Sequence, residues 1–374
     1  GMRIVNADER RELLQETNDV ALTGRVGLPS GDSPLLPSHI SGPLAVDNFP
    51  CIVQTEMPPD TDPNGPTPDE IAGAACAVGS FLDGEQDTSE GSLLKHGAVL
   101  FKGLPIRTPE DFSVFAANLG WTVTTLVNGG TERSILAANV RTASDEPANH
   151  TIEPHCDMAH NPVFPGKIAF FMLEGPPANV GGETVLVDIR NVTAQLKASG
   201  LSEVFESHGG GGVMYRKVLW SAQHVDHSFT WQKRFFTEDR DEVDAKLRAM
   251  GNVIWRWTEN DVLEFENTQP ATTTHPVTGE ELWFNGIHTN HKTYYETAPH
   301  IDTSLGSPMN ALFGDGEEID DETLALIRST WWDNAVALAL TSGDLCIVDN
   351  MLAGHGRMGW IPPHPRRMLL THFE

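Results

Sequence analysis

The sharpest chemical signal in the sequence is Pro154-His-Cys-Asp157, where an imidazole and a carboxylate stand two residues apart. In a β-strand, residues i and i+2 point to the same face, so a strand here would present His155 and Asp157 side by side. One nitrogen ligand and one oxygen ligand make two-thirds of a 2-His-1-carboxylate metal site. We expect the third ligand to be His355, because it follows an apolar run and its flanking glycines allow close approach.

Three ligands on one face of a metal leave three positions open, which is the arrangement of non-heme Fe(II) oxygenases. A keto acid can bind there through two atoms together with dioxygen, and its far carboxylate then needs a cation with fork geometry, which arginine supplies best. Arg366 and Arg367 begin the last apolar strand. Since neighbouring strand residues face opposite sides, only one of them can point inward. Thr184 could add a hydroxyl to the same anchor.

Short elements must position these residues. Residues 24–66 are rich in proline and predict an irregular segment, and Thr67-Pro-Asp-Glu70 then predicts a capped helix running to about Leu82. A strand at 96–102 and a helix at 108–120 follow. Beyond residue 133, many short apolar runs separated by turns predict a β-sandwich or barrel. The predicted strands are 134–140, 168–173, 184–188, 212–218, 228–236, 281–284, 345–348 and 368–372, and the predicted later helices are 192–198, 239–251 and 320–329.

With these residues in place, the chain resembles the taurine dioxygenase/clavaminate synthase-like superfamily of Fe(II)- and 2-oxoglutarate-dependent oxygenases. It is most similar to the branch of amino-acid hydroxylases in antibiotic and siderophore biosynthesis. The resemblance runs in family order from about residue 98 to the C-terminus. The matching stretches are His155-Cys-Asp-Met158, Gly181-Gly-Glu-Thr184, Val187-Asp-Ile-Arg190, Trp283-Phe-Asn285, Phe313-Gly-Asp-Gly316, Gly343-Asp-Leu-Cys-Ile-Val-Asp-Asn350, His355-Gly-Arg357 and Arg366-Arg367.

The resemblance implies a double-stranded β-helix, or jelly roll, of clavaminate synthase-like type: mainly β with flanking helices (α+β). It implies one structural unit, with residues 1–95 as a proline-rich wrap containing one helix and residues 96–374 as the oxygenase domain. His155, Asp157 and His355 match the iron ligands. Thr184 and Arg367 match the clamp on 2-oxoglutarate, with Arg366 as the alternative if the last strand is registered one residue differently.

The implied reaction consumes 2-oxoglutarate and O2 at Fe(II), releases succinate and CO2, and hydroxylates an amino acid or related small carboxylic acid. That substrate could be free or tethered to a carrier protein. Asn285 and Arg141 are candidate substrate contacts. Two other classes stay open: a non-catalytic small-molecule sensor on the same jelly roll, and a zinc-type hydrolase or isomerase.

The net charge of −27, from 25 Lys+Arg and 52 Asp+Glu, disfavours nucleic-acid partners, since duplex affinity comes mostly from basic residues. It also disfavours an anionic membrane surface. The 4 cysteines are scattered without a CxxC pair, which indicates a reducing compartment, and we expect a cytoplasmic protein. An acidic chain that binds a dianionic keto acid needs local positive charge at its site. Oligomeric state cannot be read from the sequence.

Overall fold

The computed structural model describes residues 1–18, 35–36, 49–55, 65–84, 92–124, 133–144, 146–225 and 229–374. Strands dominate this part and helices flank them, which confirms the predicted class, mainly β with helices. The strands are β1 (Met2–Ile4), β2 (Cys51–Thr55), β3 (Ala98–Lys102), β4 (Val123–Thr124), β5 (Ile135–Ala137), β6 (Val140–Thr142), β7 (Ile152–His155), β8 (Lys167–Glu174), β9 (Thr184–Asp188), β10 (Gly212–Leu219), β11 (Val253–Trp257), β12 (Leu263–Pro270), β13 (Thr273–Thr274), β14 (Glu281–Leu282), β15 (Met309–Phe313), β16 (Ala335–Leu338), β17 (Leu345–Asp349), β18 (Ala353–Arg357) and β19 (Arg367–Phe373). The helices are α1 (Ala7–Asn18), α2 (Pro68–Asp83), α3 (Leu93–His96), α4 (Pro109–Ala117), α5 (Ile189–Ala198), α6 (Leu201–Ser207), α7 (Trp231–Phe235), α8 (Arg240–Met250), α9 (Ile287–Asn290), α10 (Lys292–Thr297) and α11 (Asp321–Asp333).

Two sheets pack together around the central core. The larger has the order β1-β2-β3-β17-β8-β19-β6-β5, with β4 paired to β19, and the smaller has the order β16-β9-β18-β7. Apolar side chains from both sheets, among them Phe170, Leu186 and Val336, form the cluster between them. The outer face of the larger sheet packs on α2 and α4, and that of the smaller sheet on α5 and α11.

From β6 to β9, and again from β16 to β19, successive strands belong alternately to the larger and the smaller sheet. The chain passes through β6 in the larger sheet, β7 in the smaller, β8 in the larger and β9 in the smaller. After residues 189–334 it resumes with β16 in the smaller sheet, β17 in the larger, β18 in the smaller and β19 in the larger. That insertion carries a third sheet, β11-β12-β10-β15, with an apolar cluster of its own.

The described N-terminal part has more regular structure than the single helix expected for residues 1–95. It contains α1, α2 and α3, and it adds β1 and β2 to the larger sheet, where β2 runs parallel to β3. Most of the proline-rich stretch 24–66 lies outside the described residues.

One predicted strand, 228–236, is wrong over its described residues, because Trp231–Phe235 form helix α7. The Thr230 side chain accepts a hydrogen bond from the Lys233 amide and so caps this helix. Trp231 and Phe235 are spaced i,i+4 and are both buried, which is the periodicity of a helix. No helix in the described ranges is long and apolar enough to cross a membrane.

The capped helices form as the sequence predicts. The Thr67 hydroxyl accepts from the Glu70 amide while the Glu70 carboxylate accepts from the Thr67 amide, and Thr108 with Asp111 repeats this capping box on α4. Helices α2 and α4 then meet the larger sheet through a shared apolar cluster. Gly79 allows α2 to lie very close to the backbone carbonyl of Leu119.

Gly79→Ala should lower the free energy of unfolding by about 1–3 kcal/mol, because its new Cβ would overlap the Leu119 carbonyl oxygen. Gly73→Ala is the matched control in the same helix: its Cβ would have no neighbour within 4 Å. That variant should raise stability by about 0.5–1 kcal/mol, since alanine favours a helix over glycine. Urea unfolding followed by circular dichroism measures both, and a shift of the same sign in both variants would contradict the packing.

Candidate metal centre and cofactor cavity

The three predicted ligands come together although His355 lies 200 residues after His155 in the chain. Strand β7 pairs antiparallel with β18, and His155 stands directly opposite His355 in that register. The two imidazole rings have centroids 4.8 Å apart. One ligand atom from each of His155, Asp157 and His355 lies within 4.8 Å of the other two, so the three side chains can share one metal ion.

Asp157 reaches this cluster by a different route from the one the alternation rule predicts. Strand β7 ends at His155, and Asp157 lies in the turn that follows. The Asp157 amide donates to the Asn350 side-chain oxygen at 2.7 Å, and the Asn350 amide group donates back to the Asp157 carbonyl at 2.9 Å. A further bond from Asn350 to the Pro165 carbonyl, also 2.9 Å, ties the turn to the next loop. Asn350 therefore orients the carboxylate.

The surroundings of the two histidines suit metal binding. His155 Nδ1 lies 2.9 Å from the Glu153 carbonyl oxygen, a contact that assigns the proton to Nδ1 and leaves Nε2 free as a ligand. The His355 ring packs on Phe170, and its Nδ1 is buried without a hydrogen-bond partner among the described residues. Burial, together with the neighbouring His155, holds the pKa of His355 well below its usual value, so its imidazole is neutral.

The carboxylate is held in its charged form. Burial alone would raise the pKa of Asp157, but the Arg133 guanidinium and a hydrogen bond with His372 hold it well below its usual range. Arg133 Nη2 lies 3.2 Å and His372 Nε2 lies 2.9 Å from Asp157 Oδ2. Two imidazoles and one ionised carboxylate are a donor set that suits Fe(II).

A buried ion pair between Glu153, on β7, and Arg328 stabilises this strand. Arg328, on α11, places its Nε 3.2 Å from Glu153 Oε1 and donates to the His288 carbonyl through Nη2 at 2.9 Å. The Glu153 and Arg328 side chains are only 2% and 8% exposed. His288 in turn contacts the Pro154 carbonyl at 2.8 Å. This network fixes the two residues that precede ligand His155.

The metal cluster opens into a cavity of ≈190 Å³. Arg366 lines it, donating to Thr184 Oγ1 through Nη2 at 3.0 Å and to the Gly182 carbonyl through Nε at 2.7 Å. In the described part of the chain its guanidinium makes these two hydrogen bonds and no ion pair. Burial and the nearby Arg357 lower the pKa of Arg366 to about 9, while the charge of Glu183 acts in the opposite direction.

Arg367 does not face this cavity, contrary to the preferred assignment. It is exposed and pairs with Glu174 at the start of β19, where the register shifts by a bulge before Met368. Arg366 and Met368 both line the cavity, so alternation along the strand turns Arg367 outward. The alternative residue, Arg366, is therefore the one beside Thr184.

The two predicted substrate contacts lie elsewhere. Asn285 is fully buried and uses both ends of its amide, donating to the Ala271 carbonyl at 2.8 Å and accepting from the Ile287 amide at 3.2 Å. Arg141, on β6, lines a separate cavity beside Leu370 and not the one that holds the ligands. Neither residue is placed to contact a substrate in the metal cavity.

The sequence reading missed several residues that shape the site. Arg133 has no motif around it, and only the fold brings it to Asp157. His372 could have been found, because it lies four residues after Met368 on β19. Alternation places both side chains on the same face of the strand. Glu146 and Tyr294 also line the cavity without any sequence signal.

One cavity thus brings together two histidines, a carboxylate and an arginine beside a hydroxyl. Residues 73–372 match the Taurine catabolism dioxygenase TauD, TfdA family, and the chain belongs to that family. It is an Fe(II)- and 2-oxoglutarate-dependent dioxygenase, which confirms the predicted reaction class and cofactors.

Two relatives share most of the chain. The dapdiamide synthesis protein DdaC of Enterobacter agglomerans is 32% identical over 272 residues, covering 71% of this chain and 79% of its own. A clavaminate synthase-like protein of Arabidopsis thaliana is 26% identical over 285 residues, covering 75% and 82%. The solved structure of PvcB from Pseudomonas aeruginosa aligns over 90% of this chain and 88% of its own, with 14% identity and a TM-score of 0.47, too low to support an argument.

Arg328→Met should lower the free energy of unfolding by about 3–5 kcal/mol, because it leaves the Glu153 carboxylate buried without its partner. Arg256→Met is the matched control, since its ion pair with Glu264 lies on the surface and should cost less than about 1 kcal/mol. Chemical denaturation at one pH compares them. Equal losses in the two variants would contradict a supporting role for the Arg328 network.

Proposed function

We propose that the enzyme hydroxylates an amino acid or a related small carboxylic acid, either free or tethered to a carrier protein. His155, Asp157 and His355 would hold Fe(II), which supplies oxygen activation when bound. The relationship to a protein of dapdiamide synthesis supports a biosynthetic small-molecule substrate of this kind. The cavity volume of ≈190 Å³ suits a small ligand.

The observation that carries the residue assignment is the partly buried Arg366–Thr184 pair in the same cavity as the metal cluster. A guanidinium whose Nη1 makes no hydrogen bond among the described residues, beside a hydroxyl, is an arrangement that can take up a carboxylate. Arg366 and Thr184 would bind the far carboxylate of 2-oxoglutarate, while the keto acid end reaches the metal cluster. Phe170 and Met368, which line the same cavity, would exclude water around the keto acid.

The strand order supports a double-stranded β-helix for residues 96–374. Eight strands, β6 to β9 and β16 to β19, belong alternately to the larger and the smaller sheet, and the two histidine ligands lie on the smaller one. The described residues before 96 pack on this unit, since β2 extends the larger sheet beside β3. We propose that they stabilise the oxygenase fold and take no part in the chemistry.

A panel of amino acids and small acids, scored by coupled O2 uptake and succinate formation, tests the substrate class. At least one amino acid should raise succinate formation above the level without substrate. His155→Ala should abolish that succinate because a metal ligand is lost. Full succinate formation in this variant would refute the ligand assignment. A panel without any active acid would refute the substrate class alone.

Arg366→Met should raise the KM for 2-oxoglutarate by about 10- to 100-fold, since a charge-assisted hydrogen bond to a carboxylate is worth about 1.5–3 kcal/mol. Arg367→Met removes the same charge from the neighbouring, exposed position and should leave that KM unchanged. Uncoupled succinate formation at varied 2-oxoglutarate concentration measures both variants. A larger effect at Arg367 would show that the outward arginine is the anchor.

A further inference from the structure

A second group of metal-ligating side chains lies beside the cavity and shares no residue with the first. Glu146, His150 and His300 each offer one atom, and these atoms lie within 4.8 Å of one another. His300 Nε2 is 2.5 Å from Glu146 Oε2, and the two imidazole rings have centroids 4.7 Å apart. The chain thus has two 2-His-1-carboxylate clusters in its described part.

The positions of these donors are set by contacts outside the cluster. Arg357 donates to the carbonyls of Glu146, Pro147 and His150 at 3.3, 2.7 and 2.8 Å. The Trp360 amide donates to the Ala148 carbonyl at 2.7 Å. The backbone of residues 146–150 is therefore held against β18 and the residues after it, and Glu146 and His150 do not depend on each other for their placement.

Glu146 and His150 are in the forms that can act as ligands to a cation. Burial, with His300 nearby, lowers the pKa of His150 to about 4, so this imidazole is neutral and can act as a ligand. Burial opposes the charge on Glu146, but the hydrogen bond and charge of His300 lower its pKa, so the carboxylate is ionised. An ion pair with Glu146 uses one histidine. A divalent ion would use the carboxylate and both imidazoles at once.

We propose that Glu146, His150 and His300 bind a second divalent transition-metal ion, for which Zn²⁺ is the best match. Two imidazole nitrogens and one carboxylate oxygen are a common zinc donor set, and zinc then takes a fourth ligand such as water. The hydroxyl of Tyr294, 3.1 Å from His150 Nε2, lies next to the cluster and can hydrogen-bond to that ligand. Zinc binds such nitrogen and oxygen sites more tightly than Fe(II) does.

The second ion would join two parts of the cavity wall. Glu146 belongs to the segment before β7, whereas His300 follows α10, and Glu146, Tyr294 and Ile301 all line the cavity. A metal bridge between these segments would fix the wall around the substrate space without touching the His155 cluster. The second site does not rest on the proposed substrate.

Zinc stoichiometry in four forms of the full chain tests the proposal. The apo protein is dialysed against Zn²⁺, freed of loosely held ions on a desalting column and analysed by elemental mass spectrometry. Wild type should retain two ions per chain. His155→Ala and His300→Ala should each retain one, and the double variant none, because the two clusters share no ligand. Circular dichroism checks that each variant is folded.

His208→Ala is the matched control, because His208 lies with Asp315 and Glu317 in an exposed cluster and should leave the count at two. Glu146→Gln should lose the same ion as His300→Ala while keeping the side-chain volume. One ion in wild type, or an unchanged count in His300→Ala, would overturn the second site. An unchanged count in His155→Ala would instead count against the iron-ligand assignment and leave the second site standing.

Discussion

The antiparallel pairing of β7 with β18 is the contact on which the rest of the site depends. It sets His155 directly opposite His355, which is 200 residues further along the chain. The buried Glu153–Arg328 pair holds β7 from one side, and Arg357 holds the preceding loop from β18. The register of these two strands fixes the distance between the two imidazoles, so the sheet holds both ligands in place.

The charged residues that line the cavity are mostly basic, whereas the whole chain is acidic. The net charge is −27, yet the described cavity wall includes four arginines and only two carboxylates, Asp157 and Glu146. Arg133 is committed to Asp157, whereas Arg366 makes no ion pair in the described part. A dianionic co-substrate would therefore meet positive charge locally although the overall field repels it, since short-range interactions in a buried site are screened much less.

The sequence predicted the elements whose formation depends on interactions between neighbouring residues. The capping boxes at Thr67 and Thr108 marked the starts of α2 and α4, and apolar runs marked β8, β9, β17 and β19. It failed at Trp231–Phe235, where the alternation of Phe229 and Trp231 suggested a strand but the chain forms a helix capped by Thr230. It also failed to separate Arg366 from Arg367, since strand alternation states that the two differ in direction but not which one faces inward.

The sequence by itself determined the ligand types, the His-x-Asp spacing, the distal histidine and the presence of an arginine beside the last strand. These are matters of residue identity and order. Only the tertiary structure decided that Asp157 is aimed by Asn350 and not by strand alternation, that Arg366 faces the cavity, and that Arg133 and His372 contact the carboxylate. Those contacts join residues far apart in the chain, so their geometry follows from sheet register and packing, which no local pattern encodes.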